Sequence, residues 1–287
     1  MPSQNIQWFP GHMAKTRRMI SDNLKNVDVV IEILDARIPY SSRNPEIIRL
    51  TENKPRIILL NKASLADPVA TKKWIDIYTA QNTVCIETDC VTGYGLNKIS
   101  AAIKDICKEK LERYEDKGMS GRMLKAMILG IPNVGKSSLI NKICGNKKAK
   151  VENRPGVTLD KQWVATNIGF LLLDMPGILW PKFEDNTVGE NLAITGAIKD
   201  DILDIETVAC ALCGRLRELY PDLLAARYKL VGVDLTDLSD YDLLCLIGRK
   251  RGFLVSGGEI DTERAANMLI DEFRAAKIGR ITLDKIN

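Results

Sequence analysis

The run "GIPNVGKSS" at 130–138 fits G-x-x-x-x-G-K-[ST], the pattern of a loop that wraps phosphate. Gly130 and Gly135 let the backbone curl so that its N–H groups face an anion. The helix expected to start at Lys136 adds the favourable end of its dipole. Val134, Gly135, Lys136, Ser137 and Ser138 form the expected nucleotide-binding run. Lys136 reaches the β- and γ-phosphates in such loops, and the Ser137 hydroxyl ligates Mg²⁺.

Two further pieces complete a triphosphate site. "DMPG" at 174–177 ends an apolar run. An Asp at that strand tip, Asp174, holds Mg²⁺ through water, and Gly177 offers a backbone N–H to the γ-phosphate. Between them lies "RPGVT" at 154–158, whose Thr158 is the natural second hydroxyl ligand for Mg²⁺. The three pieces in this order predict a nucleoside triphosphatase.

The base is read elsewhere. "LLNKAS" at 59–64 resembles the Asn-Lys-x-Asp guanine motif. Asn61 and Lys62 match, but Ser64 stands where Asp is expected. A carboxylate there accepts from both the ring N–H and the amino group of guanine; one hydroxyl comfortably accepts once. The loss predicts discrimination weaker by about 2–3 kcal/mol. Asp67 is the nearby carboxylate, but it is placed to cap a helix. "TDCVTGYG" at 88–95 is the matching base loop, with Asp89-Cys90 where Ser-Ala is usual. The Cys90 amide is the expected donor to guanine O6.

These residues need strands and helices to hold them. Continuous apolar runs at 27–36, 56–62, 83–88, 123–130 and 169–175 read as strands covered on both faces. Helical patterns alternate with them, which predicts an open, mostly parallel α/β sheet. Asp67-Pro68 opens one helix, and 96–118 reads as a longer one ending near Gly118. After about residue 185 the strands stop. Segments 189–200, 205–220, 222–230, 241–252 and 262–280 read as helices. Residues 1–182, with a basic arm at 1–25, are the expected GTPase-like domain, and 183–287 a smaller all-helical one.

The 287 residues carry a net charge of +4, unevenly spread. Residues 185–287 hold 13 basic and 18 acidic side chains, and the preceding part holds 28 and 19. A basic front permits nucleic-acid contact without requiring it. Seven scattered cysteines fit a reducing cytoplasm. The Cys210/Cys213 pair reads as two core thiols on a helix. No apolar run reaches the roughly 20 residues of a membrane helix, and no secretory core is seen at the N-terminus.

The base motif precedes the phosphate loop, the reverse of Ras-like order, which is the mark of a circular permutation. "WFPGHMAK", "DARIP", "SRNP", "GIPNVGKS", "RPGVT" and "DMPGILWPKFED" together resemble the ribosome biogenesis GTPase A family of circularly permuted bacterial GTPases. The resemblance spans essentially the whole chain and is strongest at 5–62 and 122–200. It implies GTP/GDP and Mg²⁺ as ligands and late assembly of the large (50S) subunit as the role. It also implies stimulation by that particle and a C-terminal domain that contacts rRNA. Arg249, Lys250, Arg251, Arg274, Lys277 and Arg280 are candidates for phosphate contact; a solvated helix face is the alternative. A monomer is the default expectation.

The resemblance also bears on catalysis. Ile178 follows D-x-x-G where Ras-like enzymes carry a water-orienting Gln, so unaided hydrolysis is expected to be slow. In the GTPases it resembles, Asn133 helps bind K⁺; the alternative is a hydrogen bond within the loop. The chain's only histidine, His12 of "FPGHM", is implied to act near the γ-phosphate. RNA contact and helix capping are its other readings. Pro10-Gly11 reads as a turn before it, and Lys15, Arg17 and Arg18 as anchors after it. Two competing readings stay open: a nucleotide-dependent docking factor without turnover, and an NTPase with relaxed base choice.

Overall fold

A computed structural model describes residues 10–81, 83–119, 121–145, 163–180, 183, 185–200 and 203–286, with the side chains of 10–13 outside that description. Among the described residues six strands form one sheet: β1 (Val29–Asp35), β2 (Arg56–Asn61), β3 (Val84–Glu87), β4 (Leu124–Leu129), β5 (Val164–Ala165) and β6 (Phe170–Asp174). Their order is β3-β2-β1-β4-β6-β5. Every pairing is parallel except β5 with β6. The five apolar runs become the five parallel strands. The two-residue β5 is an addition: it is too short for a periodicity to reveal and is set by a tight return through Gly169 (φ 92°).

Strand β1 shows why these runs are continuous. Ile31 and Ile33 point into one core cluster, Val30 into a second and Leu34 into a third, so both faces of the strand are covered. The first cluster runs without a break from the sheet into the C-terminal helices, through Leu212, Leu216, Leu269 and Phe273. The second lies under α1 (Pro10–Leu24), where Ile20 meets Met127, Leu173 and Ile178.

The helices between strands are α2 (Pro45–Leu50), α3 (Pro68–Thr79), α4 (Asn97–Ile106), α5 (Lys108–Asp116) and α6 (Lys136–Cys144). Asp67 caps α3, accepting from the Val69 and Ala70 amides. The expected long helix is two, broken at Cys107: α4 buries Ile99 and Ile103, whereas the charged α5 buries no residue fully and rests on the core through the half-buried Leu111 and Tyr114. The Pro10-Gly11 pair does not precede the first helix but forms its first turn, as a proline at N1 allows.

The C-terminal helices are α7 (Asn186–Ile194), α8 (Ile205–Leu219), α9 (Pro221–Tyr228), α10 (Asp240–Arg251) and α11 (Thr262–Arg274). α7 stops short of the expected end because the following Gly196 takes φ 77°. α11 ends at Arg274, six residues early. The chain beyond it runs back along the sheet domain: Ile281 N–H donates to Leu65 O (3.1 Å) and Leu283 N–H to Arg37 O (2.7 Å). Ala265, Leu269 and Phe273 of α11 are buried in the core, with the half-buried Met268 packed beside them. So is Cys213 of the CxxC pair; Cys210 is half-buried, and both are free thiols. Among the described residues no helix is long and apolar enough to cross a membrane.

Candidate nucleotide-binding site

The sheet order reverses between β1 and β4, since the chain builds outward from β1 to β3 and then returns to β1's other side. The crevice at the carboxyl ends of strands about such a point is where open α/β sheets bind ligands. The phosphate loop lies there, leaving β4 at Leu129 and entering α6 at Lys136. Gly135 takes φ 106°, and a Cβ on it would lie 2.2 Å from Asn61 Nδ2. Only glycine fits, because the Asn61 end of β2 is pressed against the loop.

Lys136 folds back over the loop, donating to Gly130 O (3.1 Å) and Ile131 O (2.7 Å). Burial pushes its pKa down to about 8, against the pull of Asp174. An ammonium held among carbonyls and partly robbed of water is ready to exchange them for phosphate oxygens. Asp174 sits at the tip of β6, in register with Ile128 of β4. Burial raises its carboxyl above the ordinary value while Lys136 opposes the rise. Ser137 and Ser138 are exposed at the start of α6. A Cβ on Gly177 would lie 2.7 Å from Lys136 Nζ and 2.9 Å from Pro132 N, so the D-x-x-G glycine closes the cradle from the far side. This donor set of a hydroxyl, a strand-tip carboxylate and a lysine fits a Mg²⁺–triphosphate, in which the metal would neutralise phosphate charge. Thr158, the remaining Mg²⁺ candidate, lies outside the described residues.

The base side is a cleft of about 430 Å³ lined by Asn61, Lys62, Ser64, Asp89, Asn133 and Ser138, among others. Asn61 ties three loops together. Its Nδ2 donates to Val134 O (2.6 Å), and its Oδ1 accepts from the Cys90 amide (2.9 Å). The Cys90 amide, expected at guanine O6, therefore donates within the protein here. Ser64 is exposed and donates to Asp89 Oδ2. Lys62 takes φ 62° and bridges to Asp35 Oδ2 at 2.8 Å.

Asn133 also has a left-handed backbone (φ 58°), and its Nδ2 donates to Gly196 O (2.7 Å). The phosphate loop is thus bonded to the end of α7. His12 is the third residue of α1; its side chain lies outside the described residues. Of the basic residues after it, Arg17 pairs with Glu46 at 3.5 Å. Ile178 is buried in the cluster beneath α1, so its side chain faces the core.

Sequence reasoning missed Asp35 and Arg37. Asp35 accepts from Arg37 Nε (2.9 Å), Arg37 Nη2 (2.7 Å) and Lys62 Nζ (2.8 Å). Burial alone would raise its pKa, but these two cations hold it well below the usual range. The network places Arg37 and Lys62 on the cleft wall. The "DARIP" stretch at the end of β1 was the available signal. Three of the six basic C-terminal candidates are engaged by groups of the protein itself. Arg274 donates to Ile194 O and Ala193 O (both 2.9 Å) and pairs with Asp200 (2.7 Å). Arg280 donates to Ala66 O (2.8 Å) and Ala63 O (2.7 Å). Arg251 pairs with Glu272 at 3.4 Å. Arg249, Lys250 and Lys277 are exposed, as are Arg251 and Arg280 despite their internal bonds.

The fold and the crevice define a P-loop GTPase whose base motif comes first in the chain and whose sheet domain carries helices at its C-terminal end. Residues 125–211 match the family described as 50S ribosome-binding GTPase. The chain is 48% identical over 282 residues to ribosome biogenesis GTPase A of Bacillus pumilus, covering 98% of each. It is 29% identical to the Thermotoga maritima protein of the same name, over 98% of this chain and 94% of that one. Its fold resembles the GDP-bound structure of T. maritima YlqF with a TM-score of 0.64 and 26% identity, covering 93% of this chain and 99% of that one. The GNP-bound form gives a TM-score of 0.62. The chain belongs to the ribosome biogenesis GTPase A family, GTPases that act in ribosome biogenesis.

Proposed function

We propose that this chain hydrolyses GTP when it engages a precursor of the large (50S) ribosomal subunit, using Mg²⁺ and K⁺. The observation that carries this reading is Ile178. The position after D-x-x-G holds a buried aliphatic side chain, 6% exposed, so nothing there orients water. The missing group has to be delivered. α1 packs through Ile20 onto the same cluster as Ile178, and it bears His12 near its start. A partner that grips this basic helix can bring an imidazole to the γ-phosphate, where it orients water or takes a proton near neutral pH. Asn133 beside the phosphates is the proposed K⁺ ligand, the cation offsetting charge that develops in the transition state. Residues 1–182 do the chemistry and the helical 183–287 contacts rRNA, in a cytoplasmic monomer.

The test is single-turnover GTP hydrolysis with saturating large subunits in K⁺ buffer, for wild type and His12→Ala. Nucleotide and subunit binding are measured alongside. A fall of 10²-fold or more with binding kept assigns about 2.7 kcal/mol of barrier to the imidazole. An unchanged rate removes His12 from the chemistry, and an unstimulated wild type overturns the proposal. Replacing K⁺ by Na⁺ is expected to slow the stimulated rate.

A further inference from the structure

Positions 64 and 89 hold the same two residue types as an ordinary guanine site, in exchanged places. The usual arrangement has Asp at the end of Asn-Lys-x-Asp and Ser in the base loop. This chain has Ser64 and Asp89. The two residues are 25 apart in sequence, yet Ser64 Oγ donates to Asp89 Oδ2 at the wall of the cleft. Asn61 fixes their spacing by bonding the Cys90 amide and Val134 O at once.

The direction of that bond decides what the cleft offers. Asp89 Oδ1 already accepts from the Val91 (2.9 Å) and Thr92 (3.0 Å) amides, which anchors the carboxylate. A serine hydroxyl has one proton, and here it goes to Oδ2. The exposed Ser64 oxygen is left with lone pairs only, beside a carboxylate oxygen with a lone pair of its own. A free serine rotates to donate or accept and so suits either purine. This one is an acceptor. Guanine offers N–H donors at N1 and the 2-amino group, whereas adenine offers an acceptor at N1.

We propose that Asp89 is the positioning carboxylate for base selection in this chain: it holds Ser64 as an acceptor, and the pair replaces the single Asp of the usual motif. The inference rests on the site binding guanine nucleotides, as its family does. Asp89 is also held ionised: burial would raise its pKa, but hydrogen bonds from Ser64 and the Thr92 and Val91 amides lower it.

The experiment is competition of GDP, inosine diphosphate and ADP against a fluorescent GDP analogue. It uses wild type, Asp89→Ser and the exchanged double variant Ser64→Asp/Asp89→Ser, each checked for folding by thermal unfolding. Serine at 89 still caps the loop; should that variant fail to fold, Asp89→Asn keeps the capping oxygen. Wild type is expected to favour GDP over ADP by at least 10²-fold and over inosine diphosphate, which lacks only the 2-amino group, by a smaller factor. Asp89→Ser is expected to lower the GDP/ADP ratio at least tenfold. The double variant is expected to recover it to within about threefold. A single variant that keeps the wild-type ratio overturns the inference. So does a double variant that fails to recover, since Asp89 then serves only its loop. A wild type that takes GDP and ADP equally overturns the guanine reading itself.

Discussion

Lys136 and Gly177 show how closely single residues set the phosphate site. Burial pushes Lys136 down to about 8, from the ordinary lysine value of 10.5. Between those values the unfolded chain binds more protons than the folded one, so the empty protein gains stability as pH rises through that window. Nucleotide binding responds in the opposite sense, because phosphate needs the ammonium. GDP affinity is expected to fall above pH 8, by up to about tenfold per pH unit. Fluorescent-GDP titrations at pH 7 and 9.5 check this, and Lys136→Met should bind weakly with the slope gone. Gly177→Ala places a methyl 2.7 Å from Lys136 Nζ. It is expected to cut stimulated hydrolysis at least tenfold while the fold survives, measured by phosphate release.

At the scale of elements, the helices are fastened where they matter to the site. α1 is held by Ile20, which is fully buried against Met127, Leu173 and Ile178. Ile20→Ala is expected to cost about 2–4 kcal/mol, as buried truncations do. Denaturant unfolding measures that cost, and hydrogen exchange should show α1 opening first. α7 is finished by Gly196, and the Arg274 guanidinium of α11 satisfies its last carbonyls. In sequence Arg274 reads as a candidate for phosphate contact because of its type and its place in a basic cluster. Its actual partners are backbone groups 80 and 81 positions away and the Asp200 carboxylate. α4 and α5 read as one helix because their residues favour helix throughout and no Gly or Pro marks the break at Cys107.

The whole molecule is closed by its tail. Arg280 and Ile281 bond the backbone at Ala63, Ala66 and Leu65, in the turn after β2, and Leu283 bonds Arg37 just after β1. Asp284 is buried with Ser41 and Asn191, joining the tail to β1's exit and to α7. The C-terminal part of the chain is therefore bonded to both the turn after β2, through the tail, and the phosphate loop, through Gly196 and Asn133. Arg280→Ala is expected to weaken GDP binding about three- to tenfold by releasing two carbonyls beside Ser64. Its effect should appear as faster nucleotide release in a stopped-flow chase.

The phosphate loop, the strand-tip Asp174 and the five parallel strands could be read from the chain because their information is local. Nine consecutive residues carry the loop's glycines, lysine and hydroxyl, and a strand buried on both faces declares itself as an unbroken apolar run. The order of motifs alone exposes the permutation. Other features depended on which distant groups meet. Asp35 is paired with Lys62, Ser64 with Asp89, Asn133 with Gly196 and Arg280 with Ala63. Residue type and spacing report which face a side chain occupies within its own element. They do not report what the neighbouring element presents there, which is set by packing angles, loop paths and the return of the tail. Only the folded chain decides that a serine which seems to weaken the base site has a carboxylate at its side.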